Sequence, residues 1–365
     1  MTIVVLIIIM IVTIIFGYMQ LPIFGSSSKD ERKNLIEHSP NYKNGQFQNQ
    51  RTTPAITEGE SYFSVIKYWL FEKGENLIPS NKIPSSKTKL AELDPMEDVL
   101  IWFGHSSYYI QLNGLKILVD PVFSGSASPM PSGVEAFDGT DIYNTDEIPE
   151  IDYLFISHDH YDHTDYKTLS QLQTKVKKVI CGLGVGAHLE RWTYSSDQLI
   201  ETDWYAETTL NETIKATSYP ARHFSGRGFF RNKSLWQSYL IESDSFKIYI
   251  GGDSGYDKHF KEIGDKHGPI DLAILENGQY DKKWAYIHMM PDECVKAAID
   301  LGAKRIFPVH SCKFALGNHS WKEPLTRLVE ENKEANIPLV TPLIGEKVRL
   351  RDSTQVFGSW WEAIK

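Results

Sequence analysis

No block of lysine or arginine occurs anywhere in the sequence, and 38 basic against 47 acidic residues leave a net charge of −9. The electrostatic footprint of a nucleic-acid binder is missing, which disfavours a nuclease. Cysteine is scarce and odd in number. Cys181, Cys294 and Cys312 are far apart, so burial is favoured over a disulfide framework. No internal repeat is visible, and no charged side chain precedes Lys29. A secretory signal would carry Lys or Arg before its apolar stretch and a small-x-small cleavage site after it, and neither is clear. The run from Ile3 to Phe16 is almost entirely Ile, Val, Leu and Met; extended through Tyr18, Met19 and Leu21 it reaches the ~20 residues that cross a bilayer. The expectation is an N-terminal transmembrane helix, a single-pass membrane anchor over residues 1–24. Lys29, Arg32 and Lys33 follow the run, which puts the body of the chain on the cytoplasmic side.

What remains has the composition of a globular protein: 365 residues, 41% apolar and 23% charged, enough for a sizeable core. Residues 25–90 are rich in Ser, Asn, Gln and Lys and read as a linker carrying one docking helix, Tyr62 to Phe71. A domain over 91–365 follows. Val99 to Phe103, Tyr108 to Leu112 and Leu115 to Val119 look like successive antiparallel strands, with Asn113-Gly114 as a hairpin signal. Helical patterns then alternate with strands, at Tyr166 to Leu172, Val185 to Trp192, Tyr256 to Ile263, Asp292 to Leu301 and Trp321 to Glu331. An α/β fold of two sheets packed face to face with helices outside fits this order.

The most informative segment is His158-Asp159-His160-Tyr161-Asp162-His163, three imidazoles and two carboxylates in six residues close after the apolar run Tyr153 to Ile156. Imidazole and carboxylate suit zinc, and a cluster at a strand end can hold a catalytic metal with a coordination position left open. This His-x-His-x-Asp-His pattern resembles the metallo-β-lactamase superfamily of metal-dependent hydrolases. Three further candidates each lie just past a strand-like run: His223, Asp253 and His310.

The resemblance implies a four-layer αββα sandwich and two Zn2+ per chain. His158, His160 and His223 would hold one ion, Asp162, His163 and His310 the other, with Asp253 bridging. A shared hydroxide would be the nucleophile, with Asp162 and His288 as candidate catalytic groups. Trp102 to Ser107, Leu118 to Ser124, Gly251 to Tyr256 and His288 to Glu293 are similar to the branch containing the phospholipase D that hydrolyses N-acylphosphatidylethanolamine. That branch implies a phosphodiesterase of lipid metabolism, with phospholipid and membrane as partners; a homodimer stays open. Two departures stand near the site, Ile287 where Gln is expected and Ser311-Cys312-Lys313 where Trp-Gly-Thr is expected.

His288 would orient the phosphate or protonate the leaving group, with a structural histidine as the competing reading. His105 is a packing residue or a partner of a ligand, and Asp120 either orients a ligand histidine or shapes a turn. His38, His188, His259, His267 and His319 read as surface or packing residues. The competing function is hydrolysis of a small soluble substrate, a lactone or cyclic phosphodiester. An apolar groove at the site favours the lipid; a closed polar pocket favours the alternative. Iron or manganese suits a similar ligand set.

Overall fold

The computed structural model describes residues 2 to 364, with Thr2, Trp69 and Leu70 described by backbone only. Two small strands, β1 (Tyr42–Lys43) and β2 (Gln46–Phe47), precede the main body. The first large sheet contains β3 (Val99–Trp102), β4 (Tyr108–Leu112), β5 (Leu115–Val119), β6 (Ile151–Ile156), β7 (Val176–Gly182) and β8 (Leu199–Thr202). The second contains β9 (Glu207–Thr209), β10 (Ile214–Tyr219), β11 (Ser238–Ser243), β12 (Lys247–Ile250), β13 (Leu272–Glu276) and β14 (Ile306–Val309), and β15 (Lys347–Arg349) returns to the edge of the first. The β4–β5 hairpin turns at Asn113 and Gly114, both at positive φ (48° and 77°), as its two-residue turn requires.

Side-chain alternation builds the layers. Leu100 and Trp102 of β3, Ile110 of β4 and Ile117 of β5 meet Ile241, Ile248 and Ile274 of the second sheet in one core. Their neighbours Ile101, Tyr109 and Leu118 face outward, against Leu169 and Leu172 of α4 (Tyr166–Leu172) and Leu189 of α5 (Gly186–Arg191). On the far side Tyr249, Ala273 and Leu275 pack against α6 (His259–His267), α7 (Pro291–Asp300) and α8 (Glu323–Glu331). The result is helix, sheet, sheet, helix. Strands covered on both faces are apolar at nearly every position, which is why they read as continuous runs. All three cysteines are free and buried.

The N-terminal expectation is overturned. Among the described residues no helix is long and apolar enough to cross a membrane. The first helix, α1 (Thr2–Met19), has 18 residues; at 1.5 Å each this is about 27 Å, less than a bilayer core of ~30 Å. The residues that would extend the span belong to the body. Gln20 and Leu21 close turns onto Gly17 and Tyr18, and Pro22–Phe24 forms a 3-10 turn. The Tyr18 hydroxyl donates to Pro129 O at 2.7 Å, the Trp192 indole to Pro22 O at 2.8 Å, and the Arg227 guanidinium to Ile23 O at 2.7 Å. The single-pass anchor falls, and with it the assignment of the catalytic domain to a membrane side.

Candidate metal centre

Every candidate of the site except His288 stands just beyond the C-terminal end of a strand. His158 to His163 follow β6, His223 follows β10, Asp253 follows β12 and His310 follows β14. His105 follows β3 and Asp120 follows β5. Positive φ at His105 (53°), Asp120 (41°) and His310 (66°) turns the chain sharply there, so that side chains point along the rim. After His163 the chain enters α4, whose start Asp165 caps through Lys167 N.

These side chains converge into two groups, His158 with His160, His223 and Asp253, and His105 with Asp162, His163 and His310; in each, the ligand atoms lie within 4.8 Å of one another. His160 Nδ1 is 2.9 Å from His158 Nε2 and 3.2 Å from His223 Nε2. Nitrogens around a tetrahedral ion bound at ~2.0–2.1 Å stand about 3.3 Å apart, close to this spacing. Asp253 spans both groups. Its Oδ1 is 3.2 Å from His163 Nε2 and 3.1 Å from His310 Nδ1, and its Oδ2 is 3.7 Å from both His158 and His223 Nε2.

The surroundings fix the rings. His223 Nδ1 faces Ile287 O at 2.8 Å, so this nitrogen donates and Nε2 turns its lone pair to the site. Asp120 accepts from Ser157 N (2.9 Å) and Ser157 Oγ (2.5 Å) and faces His163 Nδ1 at 2.9 Å. It therefore orients a ligand candidate. His105 Nε2 meets Asp162 Oδ2 at 2.9 Å, so His105 steadies the carboxylate while also lying in the second group.

The donor set fits a pair of cations on two counts. His163 Nε2 and Asp253 Oδ1 are buried and face each other at 3.2 Å without a well-aligned hydrogen bond, an arrangement that ligation would satisfy. Charge points the same way. Burial holds His158, His223 and His310 well below the ordinary histidine value and His160 down to about 4, leaving neutral imidazoles fit for ligation. Burial would also lower His163, but Asp253 and Asp162 hold it well above the usual value. Burial pushes Asp253 up to about 6 and would raise Asp162, which His163 and His105 instead hold well below the carboxylate range.

His288 lies beside the cluster, its ring centroid 5.0 Å from His223 and 5.2 Å from His310. Its Nδ1 is 2.8 Å from Oε2 of Glu276, the fully buried last residue of β13, whose Oε1 accepts from Met289 N at 2.7 Å. Burial pushes Glu276 well up and His288 down, so the pair carries no net charge. Whether the shared proton rests on Glu276 or on Nδ1, Nε2 keeps a hydrogen and faces the site. Sequence reasoning missed Glu276. Its signal was an acid closing an apolar strand, the position type the other candidates share.

The cluster floors a cavity of about 340 Å³ walled by Ala55, Ile56, Phe224, Trp284, Ile287 and Leu316. Its roof is α3 (Tyr62–Phe71), which contributes Tyr62 and Val65. The roof is tied to the body: Tyr68 Oη donates to Asp281 at 2.9 Å, Lys283 pairs with Glu60 at 2.6 Å, and Gly74 N donates to Asn318 at 2.7 Å. The two departures from the expected pattern differ in place, Ile287 lining the cavity and Lys313 lying behind it. Ile287 supplies the carbonyl that orients His223, and Lys313 is buried behind the site, donating to Val122 O at 2.8 Å. His188 and His319 serve packing, accepting from Ser26 N and Gln279 N.

Residues 116–311, more than half of the chain, match the family profile described as "Beta-lactamase superfamily domain". An uncharacterized protein of Mycobacterium tuberculosis is 34% identical over 332 residues, 90% of this chain and 88% of that one. N-acyl-phosphatidylethanolamine-hydrolyzing phospholipase D 1 of Caenorhabditis elegans is 28% identical over 289 residues, 72% of this chain and 75% of that one. Among solved structures, a metallo hydrolase of the archaeon Ignicoccus hospitalis superposes with a TM-score of 0.52 at 18% identity, covering 69% of this chain and 97% of that one. A diiron β-hydroxylase of Streptomyces venezuelae gives 0.53 at 19% identity, covering 71% and 55%.

Proposed function

For a chain that belongs to the metallo-β-lactamase superfamily, as a metal-dependent hydrolase of the branch that includes the N-acylphosphatidylethanolamine phospholipases, we propose a phospholipase D-type phosphodiesterase acting on N-acylphosphatidylethanolamine or a related phospholipid. The observation that carries this reading is the cavity: a floor of metal-ligating side chains under walls of Ile56, Val65, Phe224, Trp284 and Leu316. Such walls suit an acyl or glycerol portion beside a phosphate and offer little to a small polar lactone.

His158, His160 and His223 would hold one metal ion and Asp162, His163 and His310 the other, with Asp253 between them and zinc as the metal. Bound there, two such ions would acidify water and neutralise charge on phosphoryl oxygens. The chain's own groups then have separable tasks. Asp120 and His105 hold His163 and Asp162 in orientation. Asp162, ionised despite its burial, accepts the hydrogen bond that aims the attacking water. The water gives one proton to Asp162 as its oxygen bonds to phosphorus and the bond from phosphorus to the headgroup oxygen breaks. His288 Nε2 supplies the proton that lets the headgroup leave as an alcohol, and Glu276 fixes the ring that delivers it. The lipid product is a phosphatidate.

The test is a substrate panel on the full chain loaded with zinc. N-acylphosphatidylethanolamine should release phosphatidate and N-acylethanolamine; chelation should abolish release, and added zinc should restore it. Efficient cleavage of lactones or cyclic diesters with no phosphatidate would establish the alternative instead.

A further inference from the structure

Two residues of the ligand loop belong to neither group of ligand atoms, yet both are buried: Asp159, between His158 and His160, and Thr164, directly after His163. Asp159 commits its carboxylate elsewhere, Oδ1 accepting from Gly226 N at 2.7 Å and Oδ2 from Ser234 Oγ at 2.6 Å. Thr164 Oγ1 donates to His158 O at 2.6 Å and closes the loop on itself. The main-chain oxygens of both residues converge on one atom: Arg227 Nη1 donates to Asp159 O and to Thr164 O, each at 2.7 Å. These two carbonyls bracket His160, Asp162 and His163 in the chain, so one guanidinium nitrogen sets the span of the loop that carries them.

Arg227 is buried between the rings of Tyr161 and Trp192, its guanidinium carbon 4.2 and 5.0 Å from their centroids. Asp159, Asp165 and Asp162 are near enough to favour its charge, but its hydrogen bonds go to carbonyls. On the other side Nε and Nη2 both donate to Ile23 O, at 3.0 and 2.7 Å. Four hydrogen bonds thus join two distant pieces of chain, a geometry that suits a planar five-donor group and not a lysine.

Ile23 belongs to a strap, residues 20–26, that lies on α5. Arg191 donates to Gln20 O and Gly25 O, and the Trp192 indole to Pro22 O. A second path to the loop runs through His188 of the same helix, whose Nδ1 accepts from Ser26 N at 2.9 Å and whose Nε2 faces Asp159 Oδ2 at 3.3 Å. Gly25 sits at φ 72°, and a Cβ there would stand 2.0 Å from His188 Nδ1, so glycine is what lets the strap lie against that ring. Both paths end on Asp159, which has a ligand candidate on either side.

We propose that Arg227 is a positioning residue of the metal centre and that residues 20–26 are its anchor, so that the seating of this strap sets how tightly the ligand loop holds its ions. This rests on the assignment of His158, His160, Asp162 and His163 as ligands and is independent of the substrate. Metal affinity depends on how firmly the ligands are held by the groups behind them. Lifting the strap removes Ile23 O from Arg227 and Ser26 N from His188 together, and the grip on Asp159 and Thr164 loosens. Any event that moves the strap is then read at the metal centre as a change in metal retention.

The experiment measures zinc affinity of the full chain by competition with a chromogenic chelator, beside the thermal midpoint of the metal-free protein. Arg227→Gln should weaken zinc binding ~10- to 100-fold, the range for residues that orient a ligand. Arg227→Lys keeps the charge without the fork and should restore little of it. Gly25→Ala changes no residue of the loop, yet it should weaken binding about 10-fold by unseating the strap. Leu328→Ala, in the core behind the second sheet, should lower the midpoint at unchanged zinc affinity. Should Arg227→Gln fail to fold, Gly25→Ala and His188→Ala carry the same comparison. Unchanged affinity in folded Gly25→Ala, or an equal loss in Leu328→Ala, overturns the proposal and leaves the ligand assignment intact. An unmodified chain that binds no zinc removes both.

Discussion

The floor and the roof of the cavity are built on opposite plans. The floor is a set of histidines and carboxylates at strand ends, nearly all buried, each ring fixed by a second residue such as Asp120 or Ile287. The roof is a single helix, α3, held by a few contacts, with Phe63, Ile66 and Phe71 each more than half exposed. Chemistry demands sub-ångström placement, and the floor supplies it through a rigid two-sheet frame. Recognition of a greasy substrate demands area, and tolerates a helix that can adjust.

Four substitutions bear on this contrast. Asp253→Asn should do the most damage, exceeding the ~10- to 100-fold loss typical of residues that merely orient a ligand, because Asp253 alone faces both groups. Elemental analysis should find fewer than two metal ions per chain while circular dichroism stays native; full occupancy and turnover would remove Asp253 from the site. His288→Ala comes next, with turnover slowed ~10²- to 10⁴-fold at intact metal content, as for a lost proton donor. Glu276→Gln should follow it in milder form, and equal loss of metal and activity in either variant would make the pair structural. The roof should respond least and selectively. Val65→Ser removes an apolar contact worth about 1.5 kcal/mol, so kcat/KM on a long-chain phospholipid should fall ~10-fold. A small chromogenic phosphodiester should be cleaved at the unmodified rate; equal losses on both would mean that α3 shapes the floor as well.

Legibility in the sequence divides along the same line. His158 to His163 form a local motif after an apolar strand, and His223, Asp253 and His310 each repeat the rule of a polar residue closing an apolar run. β4 and β5 were legible to the residue because their side chains alternate between two buried faces. Glu276 obeys the same rule but belongs to no short motif, so its partnership with His288, twelve residues on, needed the structure. The transmembrane expectation failed for a definable reason: counting apolar residues ran past Met19, where the helix ends and the chain is stitched to Pro129, Trp192 and Arg227.

The provenance of the site residues has a consequence for how the protein comes apart. His105, Asp120 and His158 to His163 are carried by one sheet, while His223, Asp253, Glu276 and His310 are carried by the other. Across the join, His105 N donates to Ser311 O and His310 N to His105 O, both at 3.1 Å. Neither half owns a complete set of donors. Any ion resting there works as a clasp between two slabs, and its residence time becomes a clock for their sliding: metal exchange rates should follow shear between the sheets long before either sheet loses its hydrogen bonds.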